Sequence, residues 1–189
     1  MSESVKISRY LVISAIILVG GLILGFIISK SDPSFGERLL VLFEEMVGND
    51  IIDDEPWMMA VQLFLNNLEA CAIIFIGGAL LGIVPVLILG LNGLIIGGIL
   101  EVVRKDAGDI AVLASIIPHG IFEIPAVITS GALGLMLGDA VWQDLSGNGF
   151  ASGEATRLGG IFIRYIIPFV AIAACIEAFI TPAVLQLVT

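Results

Sequence analysis

The chain has 189 residues, of which 58% are hydrophobic, and its mean hydropathy is +1.10. Because soluble domains are only about 45–50% apolar, this composition excludes an ordinary soluble domain and predicts a single transmembrane domain over residues 1–189. The net charge of −10 and the lack of a basic cluster argue against a nucleic-acid partner. The lipid bilayer is therefore the first partner that the sequence predicts.

The first apolar run extends from Tyr10 to Ile28. At about 1.5 Å per residue, it is long enough to cross most of a hydrocarbon core. Lys6 and Arg9 precede it, which favours a cytoplasmic N-terminus. No small-residue cleavage site follows Ile28, so we expect a retained helix and a multi-pass protein of the cell membrane.

The acidic segment that follows contains a helix with two different faces. Asp32 and Pro33 form a helix start signal. Apolar residues then recur at helical spacing, namely Phe35, Leu39, Leu42, Phe43 and Met46. We predict an amphipathic helix over residues 33–47 that lies at the membrane interface or packs on its own bundle.

The apolar stretch 57–103 is too long for one membrane crossing and just long enough for two. One interpretation places the turn between the two crossings at residues 82–85. The alternative continues one helix to Gly90, turns at residues 92–93, and folds residues 94–118 as a re-entrant hairpin. The basic residues do not decide between these interpretations.

Two prolines interrupt the apolar region 110–138, so we predict a short helical entry, a break at residues 118–120 and then a span. A flexible polar loop is expected over residues 139–157 because this segment is rich in glycine. The last span begins at Gly159. Together the segments predict an all-α membrane protein, a bundle of about five transmembrane helices, some broken or re-entrant, plus the amphipathic interfacial helix.

Polar side chains inside the apolar stretches are candidate functional residues, because a charged group there costs on the order of 2.5–3.5 kcal/mol on insertion scales. We predict an intramembrane polar cluster drawn from seven residues, namely His119, Glu123, Glu177, Asn66, Glu69, Asn92 and Thr181. Interhelical hydrogen bonding is the alternative role for Asn66, Asn92 and Thr181. Asn66 and Glu69, which share a helix face with Gln62, could instead lie at the membrane surface.

His119 and Glu123 are one helical turn apart and share a face. Such a pair could fix a broken helix, relay protons or contribute metal ligands. The chain has only one histidine and no cysteine nearby, so we expect no metal site and no cofactor. We predict that His119, Glu123 and Glu177 converge inside the bundle. Signatures of hydrolases and nucleotide-binding enzymes are missing, so we do not expect an enzyme.

Four Gly-x-x-x-Gly pairs occur in the apolar stretches: Gly21/Gly25, Gly78/Gly82, Gly93/Gly97 and Gly134/Gly138. Such pairs let helix backbones approach closely in lipid. Glu177 also shares a face with the small residues Ala173 and Ala174. These close-packing faces exceed the needs of one thin bundle, and they predict a homo-oligomer, most simply a dimer.

Several strings resemble the stage II sporulation protein M family. They are Phe64-Leu65-Asn66-Asn67, the glycine-rich segment 77–85, Asn92-Gly93, the string 118–126 (Pro-His-Gly-Ile-Phe-Glu-Ile-Pro-Ala) and the string 177–182 (Glu-Ala-Phe-Ile-Thr-Pro). The string 118–126 is the most specific, and the resemblance covers roughly residues 10–185. It implies an integral membrane scaffold without catalytic residues. The namesake of the family resembles a scaffold that brings peptidoglycan hydrolases to the engulfing septal membrane.

Two classes of function remain open from the sequence. A scaffold would use the 33–47 helix and the 139–157 loop to organise membrane or cell-envelope proteins. A small transporter or channel would use the intramembrane His/Glu cluster as a polar path through the bundle. The two are distinguished by whether these side chains meet at mid-membrane beside a water-filled cavity.

Overall fold

The computed structural model describes the backbone of residues 3–47 and 55–186, and the side chains of residues 5–42, 55–106, 108–110, 112 and 120–184. Within these ranges the regular structure is helical. The helices are α1 (Glu3–Ser31), α2 (Pro33–Val47), α3 (Pro56–Ile76), α4 (Ile83–Leu145), α5 (Ala151–Ile161), α6 (Ile167–Phe179) and α7 (Thr181–Gln186), with a 3-10 turn (Gly77–Ala79) after α3 and a π-helical turn (Phe162–Ile166) between α5 and α6.

Five segments of these helices are long and apolar enough to cross a membrane, which confirms the prediction of an all-α, multi-pass membrane protein. They are Val5–Ser31, Pro56–Ala79, Ile83–Asp106, Gly120–Leu145 and Ala151–Phe179. The second and third spans are joined by a short connection that includes the Gly77–Ala79 turn. The connection ends at Gly82, which has a left-handed backbone conformation with a φ of 77° and directly precedes α4. The predicted re-entrant hairpin over residues 94–118 is wrong, because α4 continues through residues 92–93 as a helix.

Helix α4 reverses its direction at Gly108. Its 63 residues would extend roughly 95 Å if straight, about three times the thickness of the hydrocarbon core. The φ of 86° and ψ of 170° at Gly108 lie in a region that essentially only glycine adopts. A first arm (83–107) and a second arm (109–145) therefore run in opposite directions, and both contact α1.

The break predicted at residues 118–120 is thus found at Gly108 instead. A proline removes one backbone hydrogen bond but keeps a helical φ, so Pro118 is compatible with the continuous helix around it. The backbone conformation of Gly108 is unfavourable for any residue with a Cβ, and it changes the direction of the chain. The glycine, not the proline, sets the topology here.

The helix directions define two ends of the bundle. We call the end at which α1 begins the proximal end, and the end at which α1 stops the distal end. The first arm of α4 runs parallel to α1, because Leu18 contacts Gly93 and Leu22 contacts Gly97 one turn further along. The second and fourth spans run back toward the proximal end, and α5 and α6 return to the distal end.

All four Gly-x-x-x-Gly pairs are used inside one chain. A Cβ on any of their members except Gly82 would overlap the backbone of a neighbouring helix or turn. Gly21/Gly25 and Gly93/Gly97 lie in the contact between α1 and the first arm, and Gly78/Gly82 meets Gly134/Gly138 near the proximal end. These motifs therefore explain packing within the chain, and they no longer support the predicted homo-oligomer.

Helix α2 is present over Pro33–Val47, the bounds that the sequence predicts. The backbone N–H and the hydroxyl of Ser34 both donate to Asp32 Oδ1, at 3.1 and 2.6 Å, and so satisfy the start of the helix. Gly36 lies against Ser29 of α1 and against Gly98 of the first arm. Helix α2 therefore packs on the distal end of the bundle, while its position at the membrane interface stays a prediction.

The predicted polar loop over residues 139–157 is mostly helical. Helix α4 continues to Leu145 and α5 begins at Ala151, so only residues 146–150 connect them. Gln143 donates to Asp139 one turn away, at 2.9 Å, and Arg157 pairs with Glu154 at 2.7 Å. Such pairs stabilise helices from within, which glycine content alone did not indicate.

We expect Gly25→Ala to destabilise the protein and Gly20→Ala to leave it unchanged or more stable. A Cβ on Gly25 would overlap the backbone of Leu94, so α1 and α4 would have to separate, at a cost of about 1–3 kcal/mol. Gly20 is also helical, but its Cβ would meet no atom within 4 Å. Thermal unfolding of both variants in one detergent measures the difference. Equal melting temperatures would contradict the close approach.

We expect Gly108→Ala to lower the free energy of unfolding by about 1–3 kcal/mol, the usual cost of a residue held in a forbidden backbone region. No atom lies within 4 Å of the added Cβ, so the effect would come from the backbone conformation alone. Gly160→Ala is the matched control, because Gly160 is helical and equally open. The expectation fails if denaturant unfolding gives the same stability for both variants.

Candidate functional site

Polar side chains of α1, α4 and α5 lie close together near the proximal end, where Glu154 of α5 interacts electrostatically with Lys6 and Asp139. Lys6 Nζ of α1 lies 3.1 Å from Asp139 Oδ2 of α4, and Gln143 donates to the same oxygen. Tyr10, one turn after Lys6, also hydrogen-bonds Asp139. In α5, Arg157 donates two hydrogen bonds to the Glu154 carboxylate, at 3.0 and 2.7 Å. We call these six residues the proximal network, and it fixes α1 to the second arm.

A second set of charges lies near the distal end, around Glu101 of the first arm. The Glu101 side chain is completely covered. It accepts two hydrogen bonds from Arg104, at 2.7 and 3.0 Å, and its Oε1 lies 3.6 Å from Lys105 Nζ. The Arg104 guanidinium also lies 5.9 Å from the centre of the Phe26 ring of α1. We call Glu101, Arg104 and Lys105 the distal triad.

Neither the proximal network nor the distal triad belongs to the predicted cluster. The residues of both groups lie at the ends of apolar stretches, where the sequence is equally compatible with side chains that are solvated by water. The signal that could have found them is charge spacing. Glu101 precedes basic residues by three and four positions, and Glu154 precedes Arg157 by three. These are the spacings at which opposite charges meet on a helix. The sequence alone did not indicate that Lys6 would reach Asp139 from another helix.

Of the predicted cluster, the structure brings Glu177 and Thr181 together. The Thr181 hydroxyl donates to Glu177 Oε2 at 2.8 Å, and Thr181 is buried. The small residues beside Glu177, Ala173 and Ala174, are buried as well. Helix α6 packs against α3 and α4 within the chain, so this face too is covered without a second copy.

Two predicted members point away from the bundle. Asn66 and Glu69 are both exposed on the outer surface of α3, so they do not contribute to a polar path through the interior. Asn92 is half-buried in the first arm. The face of α3 that Asn66 and Glu69 share therefore points away from the interior of the bundle.

Glu123 and His119 are the remaining two members of the predicted cluster. Glu123 is half-buried in the second arm, close enough to Cys71 of α3 to act on it electrostatically. The His119 side chain lies outside the described residues. The convergence of His119, Glu123 and Glu177 stays a prediction.

A groove of about 390 Å³ runs along α6 at the surface of the bundle. Apolar side chains and the Cys175 thiol line it, namely Ala171, Ile172, Cys175, Ile176, Phe179 and Ile180. It is open, and no oxygen or nitrogen atom contributes to its lining. Such a surface suits lipid chains or an apolar helix and offers no path for an ion.

The helices and their paired charges define a polytopic α-helical membrane protein whose polar contacts fix the ends of a closely packed bundle. The sequence profile of the family described as "Stage II sporulation protein M" matches residues 14–182. The chain therefore belongs to the Stage II sporulation protein M family, as the strings at 118–126 and 177–182 indicated. No curated protein and no solved structure matches the chain at a significant level.

We expect Arg104→Met to lower the free energy of unfolding more than Lys105→Met does, because Glu101 would lose two charged hydrogen bonds. Lys105→Met is the matched control. Lys105 is as exposed as Arg104 but lies 3.6 Å from the carboxylate, and we expect a loss below about 1 kcal/mol. Adding Glu101→Gln to Arg104→Met should recover part of the loss. Chemical denaturation of the three variants tests this order, and a larger effect of Lys105→Met would contradict it.

Proposed function

We propose that the chain is a non-catalytic membrane scaffold that organises partner proteins of the membrane or cell envelope. The observation that carries the proposal is the placement of α2. This helix is fixed on the distal end of the bundle, and it presents polar and apolar side chains outward. A scaffold needs both a rigid frame and an exposed surface beside the membrane.

The inner face of α2 supports the rigid part of the proposal. Gly36 allows the helix backbone to approach Ser29 and Gly98, and Leu39 contacts Gly98. The start of the helix is held by Asp32. A hydrogen bond from the Ser34 hydroxyl lowers the pKa of Asp32 below its usual value, with a smaller contribution from Arg38. The carboxylate therefore stays charged at neutral pH, and this stabilisation is lost only as the pH falls through the lowered pKa.

The outer face of α2 supports the binding part. Glu37, Arg38, Val41 and Leu42 are all exposed. Arg38 is positioned by Ser34 Oγ at 2.9 Å and by Asp32 at 3.7 Å. A surface that combines ordered charges with exposed apolar side chains has the composition of a protein interface.

The proposal includes an orientation of the chain in the membrane. Lys6 and Arg9 at the proximal end favour the cytoplasm, and the acidic segment around α2 then lies outside. In this orientation α2 faces cell-envelope proteins. Attachment of a membrane-impermeant thiol reagent to a cysteine introduced at Glu37, and not at Arg9, in intact cells would agree with it.

We expect a photo-crosslinking amino acid at Val41 to capture one discrete protein partner in the native host. Ile23 of α1 is the matched control, since both side chains are 52% exposed but Ile23 faces lipid within a span. Gly36→Leu should abolish the crosslink at Val41, because a side chain there would push α2 away from Ser29 and Gly98.

The captured protein is then purified and added to the chain in nanodiscs. Wild type should bind it at least tenfold more tightly than Gly36→Leu, while both keep the same melting transition of the bundle. Crosslinks of equal yield at Val41 and Ile23, or equal binding by the two proteins, would contradict a role for α2.

A further inference from the structure

Two charged side chains, Glu69 and Arg164, lie on the outer surface of the spans without a partner. Glu69 belongs to α3 and Arg164 to the π-helical turn, and both are exposed. In the described part of the chain, neither one takes part in a hydrogen bond or an ion pair. The proximal network and the distal triad, by contrast, pair their charges within the chain.

Both residues lie near the middle of their spans. At about 1.5 Å per residue, Glu69 is roughly 20 Å from Pro56 and roughly 15 Å from Ala79. Arg164 is roughly 20 Å from Ala151 and slightly farther from Phe179. Water at the ends of the bundle is therefore far from Glu69, and a charge at that depth is costly unless another group covers it.

Apart from Asn66, which is exposed one turn before Glu69, the surface around the two charges is largely apolar. Leu65 and Ile73, one turn before and after Glu69, are 56% and 48% exposed. Ile163 and Tyr165 on either side of Arg164 are 65% and 53% exposed. One acid and one base thus stand in an apolar surface that could bury against another helix pair.

The two residues belong to neighbouring antiparallel helices. Phe75 of α3 stacks on Phe162 at a centroid distance of 5.4 Å, which places these rings at one level. Glu69 lies six residues from Phe75 toward the distal end, and Arg164 lies two residues from Phe162 in the same direction. Their levels therefore differ by about 6 Å, which the two extended side chains can bridge.

We propose that this surface joins two copies of the chain around a two-fold axis, with Glu69 of each copy paired to Arg164 of the other. A two-fold interface uses the same patch on both copies, so the patch must be self-complementary. An apolar surface with one acid and one base on adjacent helices meets that condition. A lipid phosphate would match Arg164 but repel Glu69, and the glycine motifs are already used within the chain.

The first experiment tests contact between copies. Two differently tagged chains are co-expressed in a Cys175→Ala background, one with Glu69→Cys and the other with Arg164→Cys. The proposed dimer of these two chains contains two contacts between positions 69 and 164. One of them keeps the native Glu69–Arg164 pair, and the other has a cysteine at each of the two positions. A bifunctional thiol reagent that spans an ion pair should give a product with both tags, because a direct disulfide requires closer Cβ atoms. Ile23→Cys paired with Arg164→Cys is the control and should give none.

The second experiment tests charge. Energy transfer between labelled copies measures self-association in vesicles of phosphatidylcholine, alone or with increasing shares of phosphatidylglycerol. It is followed in each lipid mixture as the protein-to-lipid ratio is varied. Glu69→Arg and Arg164→Glu alone should each weaken it at least tenfold, and the double variant should recover most of it. Glu37→Arg, outside the spans, should change it less than twofold. Melting curves of all variants report whether the fold is kept.

Several outcomes would overturn the proposal. They are the absence of a doubly tagged product, a thiol product that forms only when both cysteines are on one chain, and a double charge reversal that associates no better than the single reversals. Energy transfer that follows the content of anionic lipid instead of the protein-to-lipid ratio would assign Arg164 to lipid phosphate. Purification as a stable complex with a different protein on this surface would assign it to that partner.

Discussion

The contact between α1 and the first arm of α4 is made largely by backbone atoms on both sides. In lipid no hydrophobic force draws helices together, so close van der Waals contact and polar pairs must do so. Gly21, Gly25, Gly93 and Gly97 have no Cβ at the points where one helix meets the backbone of the other. Once these two helices are fixed in parallel, α2 has a surface on which to pack, because Gly36 contacts residues of both.

The reversal at Gly108 then determines which helix becomes central. It returns the second arm along α1, where Gly131 lies near Ser14, and along α3, where Gly134 lies against Ile74. Half of the most apolar part of the fourth span is buried, compared with 17% for the first span. The second arm of α4 is therefore the central helix, and its residues 130–138 are almost all buried. Its residues are constrained by neighbours on several sides, whereas those of α1 largely face lipid.

Much of this fold could be predicted from the sequence, because length and apolar content determine what crosses a bilayer. The spans and the bounds of α2 follow from apolar runs and from the Asp32-Pro33 start signal. The position of the reversal could not be predicted, since Pro118 carries a stronger local signal than one glycine among twenty-two. The sequence also does not predict whether a helix face points into the bundle. Helical spacing places Glu69 on a face of α3, but it does not indicate whether that face points inward.

The candidate site was less predictable than the fold. The reason is that the free-energy cost of a charged side chain depends on whether it lies at the end or in the middle of a span. A charge at the end of a span can be covered by water or by a side chain, so position alone did not mark Asp139 and Glu101 as paired. Charge spacing indicated the partners of Glu101, but nothing in the sequence indicated the partner of Asp139 on another helix. A charge in the middle of a span must be covered by protein, and Glu69 and Arg164 receive no such cover from the described part of their own chain. Association through α3 and the π-helical turn leaves α2 accessible, because α2 packs mainly against α1 and α4 among the described helices. Two copies joined in this way would present two α2 helices at one end, so self-association and partner binding can occur together.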